Sequence, residues 1–427
     1  MNERLVLDAE RAARLDAADP LAPLRDAFHI PLAADGRPQA YLAGNSLGLQ
    51  PRGTRDAVLA ELDDWARLGV EGHFEARRPW FDYHECVRGS LARLVGASPA
   101  EVVAMGSLSA NLHLAMASFY RPSGSRRRVL LEWDVFASDR YAVQGQVRWH
   151  DGDPGVELVE VRGDERGHIS TEAVVEAIEA QGDALALVLW SGVNYYTGQR
   201  YDLDAIAAAA RRVGAAVGFD LAHAIGNVPL ALHQTAPDFA VWCSYKYLNG
   251  GPGTVAGLFV AERHHGDRAL VRLAGWWGND PATRFSMPRG FVPTRSADAW
   301  QVSNAPVLPI AALRASLDLF DQAPAEARRA KSLALGQALI DSVEERLGGL
   351  VQVLTPRDGA RGSQISIRLG AEARRVCGQL REQGVVCDFR APDVIRAAPV
   401  PLYNRFADVL RLVDALDEIA RTQPWTP

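Results

Sequence analysis

An aspartate and a lysine stand just after two short apolar runs. Asp220 closes the run Ala215 to Phe219, and Ser244, Tyr245 and Lys246 follow the run Phe239 to Cys243. Such runs, bounded by polar residues and glycines, predict buried strands. Ligands of open α/β sheets sit outside the carboxyl ends of the strands, so an acid and an amine reach one sheet edge on two sides of one ligand. A buried lysine is the usual way to hold a carbonyl as a Schiff base. An aldehyde cofactor whose ring nitrogen needs a carboxylate partner fits both residues, which points to pyridoxal phosphate. A core aspartate and an ordinary loop lysine have the same spacing, so the rest of the chain must supply a phosphate site, a ring-stacking residue and a substrate anchor.

The elements around the pair offer such groups. EVVAMGSLSANLHLAMASFY predicts a strand, a break at Gly106, and a helix opened by Ser107, Leu108 and Ser109. Free N–H groups and the positive dipole end suit a phosphate there, although any helix start can carry a serine N-cap. The strand RRVLLEW runs into DVFASDRYAVQGQ, placing Phe136, Ser138 and Asp139 at another strand-to-helix turn. Phe136 either stacks on a planar ring or packs in the core. Further strands are predicted over 156–162 and up to Ser191, helices over 170–181 and DLDAIAAAARRVG, and an antiparallel strand in TVAGLFVAERH. Apolar strands alternating with helices imply an α/β fold with a mainly parallel central sheet flanked by helices.

Outside this region, residues 1 to about 30 show helical spacing broken near Pro20 and Pro23, and helices are predicted over 54–68 and 86–95. Gly44 to Gly48 spells GxSxG around Ser46. Too few residues precede it for the sheet of a serine hydrolase, so a glycine-rich loop approaching a ligand by its backbone is the better reading. His73, Arg77, Arg78, Trp80 and His84 crowd one loop, and Trp276 and Trp277 adjoin in another. Two long helices over 310–348, then short strands, a helix over 371–383 and a final helix form a small C-terminal α+β domain. The division is an N-terminal helical segment 1–40, a large domain 41–309 and the small domain 310–427.

Composition narrows the class. With 46 basic and 52 acidic residues among 427, the net charge of −6 attracts neither nucleic acid nor an anionic membrane. No run approaches the ~18 apolar residues of a membrane span. Cys86, Cys243, Cys377 and Cys387 are scattered, so neither a disulfide framework nor a metal site is indicated and a reducing cytoplasm suits them.

The assembled motifs GNSLGLQP, RRPW, LSANLHL, FASD, WSGVNYYTGQ, DLAHAIGNVPL, WCSYKYLNGGPG, GWWG, VSNAP and RAAPVPLYN resemble the kynureninase family over nearly the whole chain. The resemblance implies fold type I of the pyridoxal-phosphate enzymes and hydrolytic Cβ–Cγ cleavage of L-kynurenine or its 3-hydroxy form to alanine and an anthranilate. It implies Lys246 as Schiff-base lysine and proton shuttle, Asp220 as partner of the ring nitrogen, with His223 supporting it, and Phe136 as stacking residue. Leu108, Ser109 and Tyr245 are implied at the phosphate, Tyr245 also as acid or base, with Ser138, Asp139 and Ser191 completing the cofactor shell. Trp276 and Asn304 are implied as residues lent by a partner subunit, hence a homodimer with shared active sites. Arg396 is implied as the clamp on the substrate carboxylate. His73 with Ser303 and Asn304 matches members that favour the 3-hydroxy substrate.

Three positions depart from the family pattern: Ser109 for Thr, Ala137 for Pro, and Asn279 for His. The rival readings are a cysteine desulfurase, which wants a histidine over the ring and a reactive cysteine on a mobile loop, a serine hydrolase through Ser46, and a non-catalytic binder of kynurenine-like ligands.

Overall fold

A computed structural model describes residues 4–423. Residues 1–3 of the expected N-terminal segment and 424–427 of the expected small domain lie outside the described residues. The main sheet contains β1 Val102–Ala104, β2 Arg128–Glu132, β3 Leu158–Val161, β4 Leu185–Ser191, β5 Ala216–Asp220, β6 Phe239–Trp242 and β7 Gly257–Val260, in the order β1-β7-β6-β5-β4-β2-β3. Pairing is parallel from β3 through β2, β4 and β5 to β6, while β7 runs antiparallel to both β6 and β1. Strand alternation divides the core in two. Leu131, Leu189 and Val241 meet the helices Leu108–Phe119 and Ala137–Trp149 on one face, and Leu130, Val188 and Phe219 meet Thr171–Gln181 and Leu203–Arg212 on the other.

The parallel strands deliver their carboxyl ends to one edge, and their register fixes the neighbours there. Ser191 lies opposite Asp220, and Asp220 opposite Val241. Gly218 permits the close approach of β5 and β6, because a Cβ at that position would lie 2.1 Å from Phe239 Cζ.

A second, antiparallel sheet of β8 Gln352–Val353, β9 Ile365–Arg368, β10 Asp388–Arg390 and β11 Val394–Ala397 has the order β10-β11-β9-β8. Helices Ala325–Leu347, Ala373–Glu382 and Phe406–Thr422 share its core. The amino-terminal segment packs on this second unit: Leu7 and Ala12 enter its core, and Ala40–Tyr41 pairs in parallel with Val385–Val386. The helical spacing expected to about residue 30 is an α-helix Ala9–Ala17 and a 3₁₀ stretch Ala22–Ala27, with Pro20 between and Pro23 inside the latter. Helix Val307–Gln322 spans the expected boundary at 310 yet buries Leu313, Leu317 and Phe320 in the core of the main sheet.

Candidate active site

At the carboxyl edge of the main sheet, one pocket is lined by Leu108, Ser109, Phe136, Ser138, Asp139, Ser191, Asp220, His223, Tyr245 and Lys246. Ten residues singled out from sequence thus converge there. Larger clefts, about 610 Å³ beside Gly48 and about 500 Å³ beside Arg200, hold neither Asp220 nor Lys246.

Lys246 Nζ lies 3.1 Å from His223 Nε2, 5.7 Å from the centre of the Phe136 ring and 5.9 Å from that of Tyr245. Burial and the neighbouring Lys246 charge hold His223 well below its ordinary pKa, so its neutral ring accepts from the ammonium. Asp220 accepts from the Ala222 N–H at 2.7 Å. Asp139 is buried beside Asp220, and desolvation together with the Asp220 charge raises its pKa far above the carboxylate range. Burial likewise raises the Tyr245 hydroxyl.

Ser109 and Ser138 occupy the second positions of helices Leu108–Phe119 and Ala137–Trp149, with their hydroxyls 2.6 Å apart. Neither N-cap side chain, Ser107 nor Phe136, bonds to its helix, which leaves first-turn N–H groups without a side-chain cap. Asp139 Oδ1 and His223 Nδ1 are buried without hydrogen-bond partners among the described residues. Pyridoxal phosphate fits this set: an amine for the aldehyde, a carboxylate for the ring nitrogen, an aromatic face, and hydroxyls at two helix starts for the phosphate.

Glu132, Val135, Val193, Tyr195 and Ala222 also line the pocket and were not picked out from sequence. Glu132 carries the same signature as Asp220, an acid ending an apolar strand. It accepts from Ser191 N at 3.0 Å and from the Ser191 hydroxyl, from Asn194 Nδ2 at 2.6 Å and from Tyr201 OH at 3.2 Å.

The remaining residues are not brought into the pocket of their own chain. Arg396 is buried nearby, its Nε donating to Asp388 Oδ1 at 2.7 Å and its Nη1 to the Tyr195 carbonyl at 2.7 Å. His73 lies on the one-turn helix Gly72–Glu75, edge-on to Trp80 at 5.8 Å. Ser303 and Asn304 are exposed and bonded to each other at 3.2 Å. Trp276 is 46% exposed and adjoins an aromatic group of Trp277, Phe81, Phe285 and Phe74.

The Gly44–Gly48 turn follows a two-residue strand and precedes no helix until Thr54, so it is not a nucleophile elbow. Its backbone rests on the lysine segment, the Gly48 N–H donating to Tyr245 O at 2.8 Å. Asn279 ties its own loop, accepting from Val292 N at 2.9 Å and donating to Thr283 Oγ1 at 3.2 Å. Ala137 opens its helix without a proline.

Sheet, helix starts and the Asp220–Lys246 pair define an enzyme of the pyridoxal-phosphate fold type I class. A family model described as "Kynureninase C-terminal domain" matches residues 329–416. Over 417 residues the chain is 54% identical to a kynureninase of Stenotrophomonas maltophilia (strain K279a), covering 96% of this chain and 98% of that one. It is 52% identical over 422 residues to a kynureninase of Myxococcus xanthus (strain DK1622), covering 97% and 98%. The chain belongs to the kynureninase family. Among solved structures, the cystine C-S lyase C-DES with cysteine persulfide is similar in fold, with TM-score 0.75 and 19% identity over 91% of this chain and 98% of that one. A cysteine desulfurase of Escherichia coli has TM-score 0.74 and 17% identity over 94% and 98%.

Proposed function

We propose that this chain is a kynureninase, a pyridoxal-phosphate-dependent hydrolase that cleaves the Cβ–Cγ bond of L-kynurenine or 3-hydroxy-L-kynurenine, releasing L-alanine and anthranilate or 3-hydroxyanthranilate. The observation that carries it is the convergence of Lys246, Asp220 and Phe136 on one pocket whose rim holds two serine hydroxyls. Bound there, the cofactor supplies an electron sink conjugated to the substrate's Cα. Asp220 keeps the ring nitrogen protonated, and Phe136 holds the ring plane. Lys246 takes the α-proton and returns it, with His223 accepting a hydrogen bond from its ammonium. Leu108, Ser109, Ser138, Asp139 and Ser191 complete the cofactor shell. Tyr245 moves the proton needed when water adds to the Cγ ketone and the carbon–carbon bond breaks, the electron pair passing to Cβ, which is then protonated. Arg396 binds the substrate α-carboxylate.

The exposed aromatic group around Trp276 supports a homodimer in which Trp276 and Asn304 complete the partner's site. His73, Ser303 and Asn304 favour the 3-hydroxy substrate. The division 1–40, 41–309 and 310–427, with a cytoplasmic location, belongs to the same proposal. Phe136 at the stacking position, together with Cys377 and Cys387 buried in the second unit, disfavours a desulfurase. One experiment tests the reading: purified protein should show a visible absorbance band that Lys246→Ala removes, and should release alanine and an anthranilate from kynurenine. Absence of both products rejects it in favour of a non-catalytic binder. Catalytic efficiency on the two substrates tests the preference, which a higher value on unmodified kynurenine overturns.

A further inference from the structure

Strand β10 lies at the edge of the second sheet, paired antiparallel with β11 so that Asp388 stands opposite Arg396. Alternate residues of a strand share a face and cross-strand partners share it too, so Asp388, Arg390 and Arg396 are on one side of this sheet. There the Asp388 carboxylate grips the Arg396 guanidinium in a bidentate pair. Arg390 has no such partner. Its side chain makes neither a hydrogen bond nor an ion pair among the described residues, and its Nε is buried. Its guanidinium carbon lies 5.6 Å from the centre of the Tyr195 ring. That ring lines the cofactor pocket and stands edge-on to Phe136 at 5.3 Å, while the Tyr195 carbonyl accepts from Arg396.

Two guanidinium groups therefore adjoin Tyr195 with one carboxylate between them, which leaves one positive charge uncompensated beside the pocket. A half-buried cation without an ion pair of its own is costly: burial first, and then the Arg396 charge, lower the pKa of Arg390, and Asp388, held by Arg396, offsets them only in part. An entering anion relieves that cost.

We propose that Arg390 is a second binding residue for the substrate's α-carboxylate, supplying the uncompensated charge next to an Arg396 that Asp388 holds in orientation. This rests on the amino-acid substrate reading above. Arg396 presents a fixed fork for alignment, and Arg390 supplies the attraction.

The test uses holoenzyme carrying Arg390→Gln or Arg390→Lys, titrated calorimetrically with L-alanine and with the amine obtained by removing the carboxylate from kynurenine. Arg390→Gln should weaken L-alanine binding and raise KM for kynurenine by about tenfold or more, with kcat reduced far less, as loss of a charge-assisted contact requires. Binding of the decarboxylated amine should be unchanged, and Arg390→Lys should recover most of the loss. L-alanine affinity within about twofold of wild type in Arg390→Gln overturns the proposal, because a lost charged contact moves affinity further. Equal weakening of both ligands also overturns it, since that is the mark of a structural residue. If Arg390→Gln does not fold, Arg390→Met decides by the same comparison, because it too removes the charge: L-alanine should bind about tenfold more weakly and the amine as in wild type. If wild-type protein binds L-alanine but leaves kynurenine intact, the kynureninase reading fails while the Arg390 comparison still stands.

Discussion

Lys246 and His223, on segments following neighbouring strands, form a hydrogen bond of 3.1 Å between Nζ and Nε2. The histidine end of this bond is neutral because burial and the lysine charge both oppose its protonation. A neutral acceptor orients the ammonium without cancelling its charge.

That relationship sets a pH dependence. The folded-state pKa of His223 lies below its unfolded value of 6.5, so as pH falls the unfolded chain takes up the proton first. The stability contributed is present above 6.5 and is lost as pH falls toward the folded value. Thermal melts of cofactor-free protein between about pH 7.5 and 5 should therefore decline less steeply in His223→Gln than in wild type. Parallel declines refute this account of His223.

Asp139 and Asp220 predict the opposite sign. The pKa of Asp139 is raised by burial and by Asp220, so its contribution is present below its ordinary value of 3.8 and is lost as pH rises through the folded value. Asp139→Asn should make the cofactor-free protein more stable than wild type at neutral pH, measured by denaturant midpoint. Asp220→Asn, which removes the carboxylate facing the ring nitrogen, should lower kcat by about a hundredfold or more.

Shared sites admit a mixing test. Lys246→Ala and Asn304→Ala should each be nearly inactive alone. After subunit exchange, half the dimers are mixed and each carries one intact site, so activity should return to about a quarter of wild type. No recovery, with exchange verified by mass, means that the partner lends nothing.

Both Asp220 and Lys246 were legible in the sequence because a charged residue ending an apolar run is costly to bury and needs a reason. The parallel core was legible for the same cause, since β4 reads as an uninterrupted apolar run. Glu132 carries the same signal, but Trp133 follows it directly and extends the apolar run, so the strand end is blurred in the sequence. The contact of Arg396 with Tyr195 joins positions 201 apart, and the Asp388–Arg396 pair depends on the register between β10 and β11, neither of which local periodicity encodes. The helix Val307–Gln322 showed an apolar pattern, yet nothing in a pattern says which of two cores it joins.

Glu132 supplies the last prediction, because its position serves both fold and pocket. One oxygen receives the Ser191 N–H and hydroxyl, and the other receives Asn194 and Tyr201, so the end of β2 fixes the end of β4 and the turn after it. Glu132→Ala leaves several buried donors unpaired and should cost about 3 kcal/mol or more, lowering Tm. Gly218→Ala gives a control at a residue that does not line the pocket, since its Cβ would strike the Phe239 ring at 2.1 Å and overpacking costs about 1–3 kcal/mol. If Glu132 merely supports the fold, its Gln variant and Gly218→Ala should lose cofactor in proportion to their loss of stability. If it also sets the pocket wall at Ser191, Glu132→Gln should release cofactor faster than Gly218→Ala at equal Tm loss, followed by the decay of visible absorbance under dilution. Equal release rates at equal stability leave Glu132 with a structural role alone.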